Sequence, residues 1–269
     1  MGNAGFAAAS PFAVNRNMAA IMLNNTRLSE VGASYLAWQP QATNSALINA
    51  AGYTQYKNAG FAAGIRYHTL KAIEKTDEQG NALGSFSPAE YAMELGFAYK
   101  MNSAIALGAS LRYISSDMGG TKKASAIAAD ISALYSRKNL SAGLGFTNLG
   151  SKINYGNSKY SLPTRIQSGV AYRLLNKKEH SVTGVADAAY QLSSGANGFA
   201  SGIGADYTFR NLVSLRAGYH FENELVGTSY TTMGCGVHLF GFALNFAYML
   251  ASNHNPMRQT MLISLQWGK

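Results

Sequence analysis

The chain has a single cysteine, Cys235, which rules out an internal disulfide and leaves that residue as a small hydrophobe on an apolar strand face. Proline is equally scarce, at 5 of 269 residues, and no Pro-, Gly- or Ser-rich linker breaks the chain into two domains. Charged residues make up only 13%, about half the share of an ordinary soluble domain. That is too few to coat the outside of a water-soluble sandwich or barrel. The histidines (His68, His180, His220, His238, His254) show no HExxH or other metal spacing, and pairs such as Gly143 and Gly145 open no helix. No metal, cofactor or enzymatic activity is therefore expected. Outer-membrane lipases that use a serine and a histidine keep His220 and His238 as alternatives to plain lumen histidines.

The net charge of +9 comes from basic residues scattered among turns (Lys100, Arg137, Lys138, Lys177, Lys178, Arg210). Nothing gathers them on one helix or beside a stacking platform, so no nucleic-acid partner is expected. The uncharged stretch 234–252 is long enough for a membrane-spanning helix. It alternates instead: Cys235, Val237 and Leu239 against Gly236 and His238, then a turn at Gly241, then Leu244, Phe246 and Tyr248 against Asn245.

That alternation governs most of the chain. Phe61, Ile65 and Tyr67 oppose Arg66 and His68; Met93, Leu95, Phe97 and Tyr99 oppose Glu94; Ile105, Leu107, Leu111 and Tyr113 oppose Ser110 and Arg112. Ile127, Ile131 and Tyr135 oppose Asp130, Ile203 and Tyr207 oppose Asp206, and Leu215 and Tyr219 oppose Arg216 and His220. A strand sends alternate side chains to opposite faces, so one face is apolar and uncharged throughout. Hydrocarbon outside and polar groups inside account for this pattern, and a closed sheet is one of only two structures that span a bilayer.

The reading is an all-β, 14-stranded antiparallel transmembrane β-barrel, with strands near 30–39, 45–56, 60–69, 88–100, 103–115, 125–137, 140–152, 164–175, 180–192, 199–210, 212–224, 230–240, 242–250 and 259–268. Short and long connections alternate strictly, the longest being 71–87, which puts both termini and the short turns in the periplasm. Arg66, Glu94, Arg112 and Asp130 are expected to alternate around the inner wall, with Arg66 opposite Glu94, Glu94 opposite Arg112 and Arg112 opposite Asp130. Asp206 and Arg216 form a second pair across the turn at Asn211. Tyr67, Tyr91, Tyr113 and Tyr219 at one end, and Tyr99, Tyr135, Tyr172 and Tyr207 at the other, form two interfacial belts.

Residues 1–29 do not follow the strand pattern and form a unit apart from the barrel, 30–269. Met1, Gly2, Ala4 and Gly5 are small or apolar, Ser10-Pro11 can start a helix, and Asn17 to Leu23 reads as a helical turn or two. The segment either folds into the lumen as a plug or lies beneath it as a strap.

Met1-Gly2-Asn3-Ala4-Gly5-Phe6-Ala7 resembles the opening signature of the PorV/PorQ family of Bacteroidota outer-membrane proteins, relatives of the FadL fatty-acid transporters. Asn17-Met18-Ala19 stands where that family usually has Asn-Pro-Ala. Thr147-Asn148-Leu149-Gly150, Leu162-Pro163 and Leu215-Arg216-Ala217-Gly218-Tyr219 also resemble it. The resemblance implies an outer-membrane, FadL-like barrel, obstructed inside, working within a protein complex in type IX secretion. PorV-type members carry cargo beside the translocon, and PorQ-type members hold another surface component. Met18 in place of proline, and loops shorter than a cargo-binding PorV has, are departures. The chain starts within the signature, so a processed or truncated form, or a misassigned start, is expected. Outer-membrane lipid and one or more outer-membrane or surface proteins are the expected partners, and a FadL-like transporter of hydrophobic small molecules is the competing reading.

Overall fold

Strand alternation closes into a barrel in the computed structural model, which describes residues 1–23, 27–39, 45–118, 123–155, 158–192 and 197–269. Fourteen strands form it: β1 Ser29–Trp38, β2 Ser45–Tyr56, β3 Ala59–Thr69, β4 Ala89–Lys100, β5 Ile105–Asp117, β6 Ala124–Arg137, β7 Leu140–Gly150, β8 Thr164–Asn176, β9 His180–Leu192, β10 Gly198–Phe209, β11 Val213–Glu222, β12 Tyr230–Leu239, β13 Phe242–Leu250 and β14 Met261–Gly268. Each pairs antiparallel with its neighbours in sequence. Val31 of β1 faces both Gly52 of β2 and Trp267 of β14, so no strand edge is left open to hydrocarbon.

Leu107, Ile131 and Leu215 are 46%, 49% and 56% exposed on the outer wall, while Glu94 and Arg112 are 2% and 5% exposed within. Cys235 also faces outward. A soluble barrel would reverse this arrangement. The uncharged stretch 234–252 contains the β12–β13 hairpin, with Leu239 opposite Phe242. Its turn uses left-handed backbone at Phe240 and Gly241 (φ 51° and 83°), as Arg210 and Asn211 do between β10 and β11. Positive φ at both central residues matches the twist of a two-residue hairpin.

Two of the four expected cross-strand pairs hold as written, Glu94 with Arg112 and Asp206 with Arg216. The other two are displaced by two residues: Ser110, not Arg112, faces Asp130, and Gly64, not Arg66, faces Glu94. A two-residue slip keeps every side chain on its own face. The charges therefore meet diagonally, over a span that arginine's length covers.

The connection 71–87, expected to be one loop, contains a hairpin of Ile73–Thr76 with Ala82–Phe86. Its short strands are too polar and too few to show a period. Asp77 closes the tip, accepting hydrogen bonds from the Asn81 side chain (2.8 Å) and the backbone N–H groups of Asn81 (2.7 Å) and Gln79 (3.0 Å), while Gly80 turns the chain at φ 86°. Those bonds, the Asn81 side chain's first, hold the Asp77 carboxyl below its ordinary value.

Residues 1–23 lie inside the barrel and include two 3₁₀ turns, Ala13–Asn15 and Met18–Leu23. The first of these follows directly on a turn over Ser10-Pro11, in which the Ser10 carbonyl accepts the Ala13 N–H at 3.1 Å. Phe6, Val14, Ile21 and Met22 are at most 1% exposed, and each burial of this kind contributes about 1.5–3 kcal/mol.

The outward face predicts that Leu111→Arg, midway along β5, lowers the free energy of unfolding from lipid vesicles by about 2–4 kcal/mol. Denaturant titration of the reconstituted barrel measures it, and an unchanged midpoint means that Leu111 does not meet hydrocarbon.

Candidate functional site: the plugged lumen

The candidate site is the lumen, in which the wall charges and the amino-terminal segment meet. On one side, Glu94 Oε1 accepts from both Arg66 Nη2 and Arg112 Nε, and Arg112 Nη2 donates to Asp130 Oδ2 at 2.8 Å. Arg112 is engaged through all three nitrogens, since Nη1 donates to the side-chain oxygen of Asn148. Asn148 owes its position to a β-bulge: the β6–β7 register slips between Ala129 and Ile131, and Asn148 takes left-handed backbone (φ 58°). Its own N–H then donates to Asp130 Oδ1 at 2.7 Å.

The second expected pair lies on the opposite wall. Asp206 accepts from Arg216 Nε, Arg216 Nη1 donates to Asn245 at 2.6 Å, and Asn245 continues to Ser264 at 3.4 Å. The six charges thus form two groups, with the plug between them.

The plug is held mainly by its backbone. Gly2 N–H donates to Thr232 Oγ1 at 2.7 Å, and the N–H groups of Gly5 and Phe6 both donate to Asp187 Oδ2 at 2.9 Å. Arg16 lies 3.5 Å from the same carboxylate and donates to the Asn3 carbonyl at 2.7 Å. Asn17 donates to the Phe6 carbonyl at 2.7 Å and accepts the Ala19 N–H at 3.1 Å, tying the two halves of the segment together. Ala4 is buried, and its N–H donates to the Met1 carbonyl at 2.9 Å. So close a fit requires an inner wall without side chains. A Cβ on Gly108 would lie 2.4 Å from Ala19 N, and one on Gly2, already at φ 58°, would lie 2.3 Å from the Tyr219 carbonyl.

Asp187, Arg16 and Thr232 were not among the residues singled out from sequence, and Asn148 stood out only as part of the motif Thr147-Asn148-Leu149-Gly150. A signal for Asp187 exists: it points inward from β9, and both of its cross-strand partners, Gly169 and Gly202, lack side chains. An acid with no neighbour on the sheet needs a partner from elsewhere.

Two serine–histidine contacts occur in the lumen, Ser45 with His68 at 3.0 Å and Ser214 with His238 at 3.3 Å. Ser45 is 2% exposed and also donates to the Thr69 carbonyl, and Ser214 is fully buried, so neither hydroxyl is presented to a substrate. His220 faces Glu222 at 3.3 Å and packs on Tyr230. Among the described residues no cluster of His, Cys, Asp and Glu is suited to a metal.

Among the described residues, the lumen keeps open space in two chambers. The upper one, about 410 Å³, is a mostly apolar cup between Leu36, Leu47, Ile114, Leu162 and Met257, with Arg66 and Arg112 in its lining. The lower one, about 640 Å³, lies between the plug and the polar inner wall of β12, β13 and β14.

The sequence model described as "Type IX secretion system protein PorV" matches residues 1–193. The chain belongs to the PorV family. No curated protein matches this PorV-family barrel. Among solved structures, it is similar to the toluene transporter TbuX of Ralstonia pickettii, with a TM-score of 0.68 and 13% identity over 100% of this chain and 96% of that one. The toluene transporter TodX of P. putida gives 0.66 and 11% over 97% and 94%. A FadL homologue of Pseudomonas aeruginosa gives 0.58 and 12% over 98% and 96%. At such identities the likeness is one of fold, that of a FadL-like barrel; together with the PorV family match, that fold indicates the Gram-negative outer membrane.

Arg112→Ala leaves the buried Glu94 and Asp130 facing each other and is expected to cost about 3–5 kcal/mol, seen as a lower temperature for loss of the compact band on an unboiled gel. Arg216→Ala, at a side chain 23% open to solvent, lowers it less, and equal shifts would contradict the difference in burial. Asp187→Ala removes two charge-assisted bonds to the plug, each about 1.5–3 kcal/mol, and should speed hydrogen exchange at Gly5 and Phe6 at least about tenfold. Unaltered exchange there would mean that Asp187 does not hold the segment.

Proposed function

We propose that this PorV-family barrel is a non-enzymatic subunit of an outer-membrane complex that moves proteins to the cell surface, in the manner of a type IX secretion accessory protein. The supporting observation is the plug, fixed by Asp187, Thr232 and Asn17 and pressed against bare glycine backbone, in a chain whose family match begins at residue 1 and includes that segment. A lumen so filled is no route for a folded protein. Work on proteins then falls to the surfaces that remain: the lipid-facing wall and the long loops. The charges at Arg66, Glu94, Arg112, Asp130, Asp206 and Arg216 brace the wall around the plug, and residues 1–29 act with the barrel as one docking body rather than as a gate.

The upper chamber favours a second reading, transport of hydrophobic small molecules. Its apolar lining is of the size and character of a small-molecule site, and TbuX and TodX, which share the fold, are described as toluene transporters.

Extraction of the native membrane in mild detergent, followed by affinity purification of the tagged barrel, separates the two. A protein partner in fixed ratio is the expected result. Bound lipid or hydrocarbon without any protein would replace the first reading by the second.

A further inference from the structure

The plug does not fill the lumen evenly. Its larger apolar residues pack mostly on β3 to β7, Met22 on Gly60, Met18 on Gly96, Ala19 on Gly108 and Phe6 on Gly145, while Met1 meets Gly204 of β10 and Pro11 and Phe12 meet Gly32 of β1. Opposite them, Ser34, Asn245, Ser264 and Gln266 line the lower chamber. Asn3 and Ala9 of the plug line that chamber and are exposed, so solvent reaches well inside the barrel.

The chamber runs along the wall. Ala243 and Gln266 are paired next to the short turn at Gly241, and Leu36 and Leu262 are paired four ladder steps beyond Gly32 and Gln266, toward the long loops. From His238 and Gln266 it therefore rises to Leu36 and Leu47, where the upper cup begins and continues past Trp38 and His68. The two chambers share Leu36, Leu47 and Arg66 in their linings. Together they follow the barrel's long axis beside the plug.

Charge is arranged unequally along this route. The side chains of Arg16 and Arg66 are 34% and 30% open, whereas the carboxylates that face them, Asp187 and Glu94, are 7% and 0% open. Arg216 and Arg112 add guanidinium groups, and only Asp206 and Glu90 return carboxylates to the lining. Arg16 and Arg66 thus face the water with their counter-charges turned into the wall, whereas Arg112 is as buried as Asp130 and Arg216 about as open as Asp206. A narrow cavity of low-dielectric walls concentrates such a field and raises the local concentration of anions.

We propose that this side of the lumen is a passage for small anions that bypasses the fixed plug, with its constriction at Leu36, Leu47 and Arg66. Arg66 is the movable member. Arg112 is held through all three of its nitrogens, but Arg66 is bonded to Glu94 through Nη2 alone, and its buried Nε has no partner. Swinging that guanidinium aside widens the neck without disturbing the Glu94–Arg112–Asp130 chain.

The test is the current carried by the purified full-length barrel in a planar lipid bilayer under a potassium chloride gradient. The expected reversal potential has the sign of chloride permeation, with chloride favoured over potassium by at least about threefold. Current no greater than that of bare lipid, or reversal at zero, overturns the proposal. Arg66→Gln should raise the conductance and weaken the preference for chloride; no change in either means that Arg66 does not form the neck. As an independent readout, Gln266→Cys in a Cys235→Ser background should react with an anionic methanethiosulfonate added on the long-loop side and lose current. A cysteine there that leaves the current unaltered sinks the passage even if the barrel conducts elsewhere.

Discussion

Hydrocarbon offers no hydrogen bonds, and that single constraint sets the rest of the structure. Backbone polar groups within the bilayer must pair with one another, so the strands close through β1 and β14 and the outer face is given over to leucine, isoleucine, valine and aromatic rings. Polar and ionised side chains then have only the interior left. Fourteen strands enclose more room than side chains alone fill, and the chain supplies its own filling from residues 1–23.

Filling the lumen with backbone is a different problem from filling it with side chains. Where the segment packs against the wall, its N–H and C=O groups are shut off from bulk water, and an unpaired group there costs about 1–3 kcal/mol. Asp187 and Thr232 answer for the first turn, Asn17 joins the two halves, and the 3₁₀ turns satisfy much of the rest internally. Glycine on the wall lets the two backbones approach. The strands that carry the Arg66–Glu94–Arg112–Asp130 chain also take much of the plug's apolar packing, while an open, polar chamber remains along β12, β13 and β14.

This division bears on both proposed readings. FadL-like relatives in the fold are described as transporters of toluene, which needs a path, whereas work on proteins calls for a stable body with surfaces to offer. A barrel whose lumen is plugged in part and wet beside the plug has features that suit each.

The strand count, the outward apolar face and the inward charges were all legible in the sequence, because a period of two is a local property that each segment displays independently of the others. The inner-wall glycines were visible too, though not their purpose, since a missing side chain says nothing about what occupies the space. Register was readable only to within two residues: slipping Asp130 from opposite Arg112 to opposite Ser110 leaves every face unchanged, and the pattern alone cannot distinguish them. The bulge that turns Asn148 toward Arg112, the Asp187 carboxylate that receives Gly5 and Phe6 across 182 and 181 residues, and the choice of plug over strap belong to the tertiary structure. Each joins groups distant in sequence whose meeting depends on how the closed barrel brings them round, and no local periodicity encodes that.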